Sequence, residues 1–393
     1  MSLAPAEQHK EQHAYRVMVV DDSAVIRGLI SRWLEADSMI QVVASAHNGA
    51  MALRNLVSSG AEVVILDVEM PEMDGMTALP KIIEAAPHVQ VIMASTLTRR
   101  NAEISIRAMS AGAADYIPKP ESNREVNAAQ HFRHELLEKV KALGAVARGR
   151  LRKGQTQGQS PRPAAPRPAV TPVTPPVMQS RVALRPERPA VLTLQKPSSV
   201  LPRIVTIGSS TGGPQALFKV LGGLGKGISV PLLITQHMPP TFTTILADHL
   251  ARATGIPCHE GRDGERIEPG TIYLAPGDFH MTLEDRATGP IIRLNQEQPE
   301  NYCRPSVDPM LRSVLKIYGP ATLSVILTGM GSDGLSGCRD VVQAGGSVIA
   351  QDEASSVVWG MPGAVSNAGL ASAILPLDDI SGTITRYLQG VRR

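Results

Sequence analysis

The chain has 393 residues, of which 43% are hydrophobic and 19% charged, with a formal net charge of +3. That length exceeds one ordinary domain and points to two or three, each able to bury a core. No apolar run is long enough to cross a bilayer, and a charge excess this small, with no helix-turn-helix or zinc-finger pattern, argues against a nucleic-acid partner. The opening "MSLAPAEQHKEQHAY" lacks the apolar core of a secretory signal, so a cytoplasmic protein without direct membrane insertion is expected. The three cysteines, Cys258, Cys303 and Cys338, have no paired spacing and read as buried or idle thiols.

From residue 15 onward, short β-branched runs alternate with amphipathic stretches: "YRVMVV" and "SAVIRGLISRWLEA", "IQVVASA" and "GAMALRNLVSS", "EVVILDV" and "GMTALPKIIEAA", "VQVIMAS" and "AEISIRAMSAG", then "ADYI". Five nearly all-apolar strands separated by helices predict a doubly wound parallel sheet covered on both faces. The segment "HFRHELLEKVKAL" reads as the last helix of a domain spanning 16–140. Ligands of such sheets sit at the carboxyl ends of the strands, and there the chemistry-bearing residues collect. Asp21 and Asp22 end the first strand, Asp67 the third within "ILDVEMPEMDG", Ser95 the fourth, and Lys119 the fifth. Any one acid alone reads as a solvated loop carboxylate. Three carboxylates at neighbouring strand ends, however, repel one another unless a hard cation such as Mg²⁺ sits among them. Together with a hydroxyl and an ammonium they are what phosphoryl transfer to an aspartate requires.

Over residues 16–120 this arrangement resembles the receiver domain of two-component response regulators. The resemblance implies a flavodoxin-like fold with Asp67 as phosphoacceptor and Asp21, Asp22 and Asp67 as Mg²⁺ carboxylates. It also implies that the Glu69 backbone carbonyl completes the metal site and that Ser95 and Lys119 sense the phosphate. Tyr116 would be an aromatic switch, with plain packing as the competing reading.

Near Arg148 the periodicity stops, and the text becomes "QSPRPAAPRPAVTPVTPPVMQSRVALRPERP". Prolines cannot donate backbone hydrogen bonds and favour extended conformations, so residues 141–202 read as a Pro/Arg-rich linker acting as a spacer.

Beyond it, in a domain spanning 203–390, "RIVTIG", "VPLLITQH", "TLSVILTG" and "GSVIAQD" repeat the strand grammar, with helices at "PQALFKVL" and "VDPMLRSVLKIY". The fold class is therefore α/β, two doubly wound parallel-sheet domains. The stretch "GTIYLAPGDFHMTLEDRATGPIIRL", turning on "PGD" and "ATG", is expected as an inserted antiparallel hairpin.

The stretch "IGSSTGGPQA" has three readings: a phosphate cradle, a loose turn, or a turn presenting a nucleophile. It lacks the spacing of a dinucleotide fingerprint and the Lys of a P-loop. Gly208, Ser210 and Gly212 do fit G-x-S-x-G between a strand and a helix. A serine needs a base oriented by a third group. His237 in "LLITQHMPP" and Asp333 in "SVILTGMGSDG" both follow apolar strands and so share the rim with Ser210. His249 falls in a predicted helix, His259 in a polar loop and His280 beside the hairpin, while Asp340 and Asp352 lack the glycine-rich turn. For Ser210 the bland alternative is a helix cap. Ser209 reads as cap or spectator and Thr211 as support for the turn. The order Ser, His, Asp differs from the Ser, acid, His of α/β-hydrolases.

Joined to an amino-terminal receiver, "IGSSTGGPQAL", "ITQHMPP" and "LTGMGSDG" resemble the chemotaxis response-regulator protein-glutamate methylesterases. The resemblance implies a Rossmann-like esterase domain with Ser210, His237 and Asp333 as triad and the Met330 amide as oxyanion donor. It further implies γ-glutamyl methyl esters, and glutamines, of chemoreceptor cytoplasmic domains as substrates. A chemotaxis histidine kinase would be the phosphoryl donor, Mg²⁺ would serve the receiver alone, and no cofactor the esterase step. Two rivals stay open: a receiver joined to a non-enzymatic ligand-binding domain, and a serine hydrolase of small esters.

Overall fold

A computed structural model describes residues 14–96, 98–119, 126–157, 192–225 and 228–391. Strands form where both faces can be buried. β1 (Tyr15–Val20), β2 (Ile40–Ala46), β3 (Val63–Asp67), β4 (Gln90–Ser95) and β5 (Asp115–Pro118) make a parallel sheet of order β2-β1-β3-β4-β5. Between them run α1 (Ala24–Glu35), α2 (Gly49–Ser59), α3 (Gly75–Ala85) and α4 (Arg99–Ser110). Each of these helices starts on a side chain that accepts an amide hydrogen bond from its own first turn: Ser23, Asn48, Asp74 and Thr98. Such caps are worth about 1 kcal/mol each and fix where the chain turns from the rim into the helix.

The next helix, α5 (Val126–Gln157), runs well past residue 140. Its Leu143 and Ala147 are buried, and Arg148 bonds Glu62 ahead of β3 and the Ala14 carbonyl. Packing against the first domain therefore extends the helix into the span expected as linker. At the far end, the Gln195 amide bonds the Ala371 carbonyl at 2.9 Å and the Ser198 amide bonds Ser347 Oγ at 2.8 Å. The 141–202 linker is thus corrected at both ends, and its proline-rich centre lies outside the described residues.

The second sheet holds β6 (Ile204–Ser209), β7 (Leu232–Gln236), β8 (Cys258–Glu260), β9 (Ile272–Leu274), β12 (Thr322–Ile326), β13 (Ser347–Gln351) and β14 (Ala373–Leu375). All pair in parallel, in the order β14-β13-β12-β6-β7-β9-β8. β10 (His280–Glu284) and β11 (Ile291–Asn295) form the antiparallel hairpin. The "TIYL" segment does not belong to that hairpin: as β9 it joins the main sheet between β7 and β8, a correction to the expected extent. The helices are α6 (Gly213–Leu224), α7 (Phe242–Thr254), α8 (Val307–Tyr318), α9 (Leu335–Gln343), α10 (Met361–Asn367) and α11 (Leu377–Leu388). The chain winds outward from β6 through β7, then returns beside β6 as β12 and winds the other way. The crevice at the ends of β6 and β12 is therefore a topological switch point, where doubly wound sheets bind ligands.

The two domains share one apolar cluster. Ile106, Met109 and Tyr116 from the first pack with Phe242, Ile245 and Leu246 from the second. The Tyr116 ring stacks on Phe242 with centroids 4.4 Å apart. Among the described residues no helix is long and apolar enough to cross a membrane.

Candidate functional site

On the receiver rim, Asp21, Asp22 and Asp67 each place a carboxylate oxygen within 4.8 Å of the others. Lys119 Nζ lies 2.6 Å from Asp21 Oδ2 and 2.7 Å from Asp67 Oδ1. Burial pushes the Asp67 carboxyl up to about 6 against the opposing pull of Lys119, with the neighbouring Asp21 charge adding to the rise. The donor set is all oxygen and under-neutralised, which fits a hard divalent cation. Glu69 is exposed beside it. Ser95 is buried at the end of β4 with its hydroxyl 3.0 Å from Ser105 Oγ of α4, and its carbonyl accepts the Lys119 amide. Tyr116, on β5, is buried against Phe242 of the other domain rather than turned toward Asp67.

On the second rim, Ser210 occupies the turn between β6 and α6. The turn is possible only because its glycines lack side chains. Gly212 is left-handed (φ 75°), a Cβ at Gly208 would come within 2.8 Å of Val307, and one at Gly213 within 2.0 Å of Gln236 Oε1. Gln236 then clamps the turn: Ser209 Oγ donates to its Oε1 at 2.7 Å, and its Nε2 donates to the Ser210 and His237 carbonyls at 3.0 and 3.2 Å.

His237 follows β7, and its Nε2 lies 2.7 Å from Asp333 Oδ2. Asp333, 1% exposed, also accepts from the Val307, Asp308 and Gly334 amides, the Ser306 hydroxyl and Asn301 Nδ2. Burial by itself would raise its carboxyl, but His237 and these donors outweigh it and hold Asp333 at about 2. Burial opposes charge on His237, yet the hydrogen-bonded Asp333 carboxylate raises the imidazole well above its usual range. Met330 follows in the glycine-rich loop, and its amide makes no hydrogen bond among the described residues.

The other histidines stand elsewhere: His249 within α7, His259 paired with Glu265, and His280 buried with its ring nitrogens on the Ser306 amide and the Gln298 carbonyl. Of the cysteines, Cys258 and Cys338 are buried, as expected. Cys303 is not idle, because its Sγ lies 3.3 Å from His237 Nδ1. Nothing in its sequence context flags this contact, nor the roles of Gln236 and Asn301. Thr211 supports more than its own turn, since its hydroxyl donates to Asp115 Oδ2 of the receiver at 2.7 Å. Asp115 in turn pairs with buried Lys139 of α5, and Gln215 Nε2 donates to the receiver carbonyls of Met109 and Ala113.

Comparison with known proteins matches residues 17–130 to the response regulator receiver domain and residues 205–384 to the CheB methylesterase domain. A protein-glutamate methylesterase/protein-glutamine glutaminase of Rhodospirillum centenum is 56% identical over 95% of this chain and 93% of its own. The chain belongs to the CheB methylesterase family. A similarly named protein of Azospirillum brasilense is 56% identical over 95% of this chain and 92% of its own length. The crystal structure of the Thermotoga maritima CheB methylesterase catalytic domain is 42% identical, covers 47% of this chain and 98% of that one, and gives a TM-score of 0.46. The family places a receiver and a methylesterase domain in one chain, matching the two rims described above.

Proposed function

We propose that the chain is a phosphorylation-activated protein-glutamate methylesterase that hydrolyses γ-glutamyl methyl esters of chemoreceptor cytoplasmic domains and deamidates receptor glutamines. The observation that carries this reading is the His237–Asp333 pair on the same rim as the serine turn. With Nε2 committed to Asp333, Nδ1 is the nitrogen left to act as base. It takes the proton of Ser210 as Oγ bonds to the ester carbonyl carbon. The carbonyl oxygen becomes an oxyanion, which the Met330 amide stabilises. Breaking the carbon–methoxy bond returns the proton to methanol. Water, deprotonated by the same nitrogen, then frees the glutamate and restores Ser210. With glutamine, ammonia leaves in place of methanol. No cofactor enters this step.

On the other rim, Asp67 accepts the phosphoryl group from a chemotaxis histidine kinase in the cytoplasm. Asp21, Asp22 and Asp67, with the Glu69 carbonyl, would hold Mg²⁺, which neutralises phosphoryl oxygens when bound. Lys119 and Ser95 bind the phosphorylated side chain. The added charge, roughly −1.5 to −2, draws Lys119 toward it and re-packs the face that carries β5 and α4. That face holds Thr211, the residue after Ser210, through Asp115. Loosening it uncovers the crevice, with Tyr116 carrying the change to Phe242.

Methanol release from methylated receptor fragments, compared between wild type and Ser210→Ala, tests the reading. Release by wild type alone supports it. Release by both removes Ser210 as nucleophile, and rapid turnover of free small esters with none from receptor makes the chain a small-ester hydrolase.

A further inference from the structure

Both nitrogens of the His237 ring have partners. Nε2 lies on Asp333, and Nδ1 lies 3.3 Å from the Cys303 sulfur. The Ser210 hydroxyl, by contrast, makes no hydrogen bond among the described residues, so the thiol occupies the nitrogen that the serine must use. The loop presenting Cys303 is firmly tied. Glu300 and Cys303 exchange both backbone hydrogen bonds, Arg304 binds Asp278, Arg312 binds Glu300, and Asn301 bridges Asp308 and Asp333. Asn301 and Tyr302 are left-handed (φ 54° and 61°), a costly state for side-chain-bearing residues that persists only where the surroundings fix it.

We propose, building on the triad reading above, that Cys303 is a positioning residue for the esterase step. Its thiol holds His237 Nδ1 in the resting site, and the Ser210 hydroxyl takes its place there by a rotamer change when the acyl substrate binds.

An S–H donor to Nδ1 leaves the ring proton on Nε2, facing Asp333. That is the tautomer the base needs, so the imidazole is oriented before substrate arrives. The exchange moves no proton off the sulfur, and the lone pair released by Cys303 receives the Ser210 proton. The groups bonded to the ring are Cys303 from the loop before α8 and Asp333 from the loop after β12, and the Ser210 backbone stands near them, its carbonyl sharing the Gln236 amide with that of His237. Asp308 and the Arg304–Asp278 pair stand one contact further away. Of these, the Asp333 carboxylate favours the protonated ring, whereas an S–H donor to Nδ1 favours the neutral ring, because it occupies the lone pair that protonation needs. Removing the thiol therefore makes the base available only at higher pH, an effect that a purely structural role would not produce.

The test is the rate of Ser210 labelling by a serine-directed fluorophosphonate, measured against pH on the full chain as wild type, Cys303→Ala and Cys303→Ser. This probe reads the nucleophile without any receptor substrate. The expected result for Cys303→Ala is a lower plateau rate and an acid midpoint shifted up by about one unit. At a pH below both midpoints, that shift is a tenfold loss relative to its own plateau. Cys303→Ser keeps a hydrogen-bond donor and should restore both plateau and midpoint. A third variant, Cys303→Val, fills the space without a donor; it should reproduce the alanine profile and carries the test if the alanine chain does not fold. Profiles that superimpose on wild type for a folded alanine or valine variant overturn the proposal and leave the triad reading intact. Labelling that moves to Cys303, or that survives Ser210→Ala, overturns the triad reading and the positioning role together.

Discussion

The two rims share one architecture and use their carboxylates in opposite ways. At the receiver rim three acids crowd together with a single lysine, and burial leaves Asp67 at about 6. At the second rim Asp333 is more deeply buried but is surrounded by five hydrogen-bond donors besides His237, which hold it at about 2. A carboxylate left short of donors is prepared for an incoming cation or phosphoryl group. One saturated with donors cannot react and instead orients its neighbour. The strand ends supply the place, and the donors supply the role.

Substitutions at each rim sharpen this contrast. Ser210→Ala should lower methanol release by on the order of 10⁶, since it removes the proposed nucleophile outright. Asp333→Asn should cost about 10⁴ in rate, because the amide no longer supports the charged imidazole. The same change should destabilise the chain by roughly 3–5 kcal/mol at neutral pH by breaking a buried ion pair. Asp333's folded value lies below its unfolded one, so its contribution is present above about pH 4 and is lost as pH falls through about 2. Asp67 has the opposite sign. Its folded value is raised, so its ionisation costs stability as pH rises through about 6. Asp67→Asn should therefore stabilise the receiver at pH 8 by up to about 3 kcal/mol, raising its unfolding midpoint there, and change it little at pH 4. Thermal unfolding at the two pH values in magnesium-free buffer checks the sign, and a lowered midpoint at pH 8 would remove the contrast. The smallest effect is expected at the join. Gln215→Ala deletes two hydrogen bonds to receiver carbonyls, each worth about 1 kcal/mol, and should raise unstimulated methanol release by up to about thirtyfold.

The fold was legible wherever strands are buried on both faces, because a nearly continuous apolar run such as "VVIL" or "IVTIG" bounded by turn residues has few other uses. β8 and β14 were not legible. Each is three residues long, and β8 reads "CHE", with no apolar signature. β9 was absorbed into the hairpin because its neighbouring "PGD" reads as a hairpin turn, whereas the sheet edge next to β7 claims the segment. The strand-end positions of Ser210, His237, Asp333 and Asp67 could be read from local pattern, since each sits just past an apolar run. Cys303, Gln236, Asn301 and Asp115 could not, because what they touch is set by pairings dozens of residues apart. The boundary of α5 was hidden for a related reason: its continuation past residue 140 is held by Arg148 on Glu62 of the receiver, a pairing its own composition does not announce.

The central claim is that the receiver governs the serine crevice through the contacts of Asp115, Gln215 and Tyr116. The most direct measurement is methanol release by the intact chain from methylated receptor fragments, with and without a small-molecule phosphoryl donor and Mg²⁺, alongside a chain lacking residues 1–147. The account predicts a clear rise on adding donor to the intact chain, no rise for the truncated one, and a higher unstimulated rate for the truncated chain. Equal rates for the intact chain under both conditions, with no gain on truncation, would contradict it.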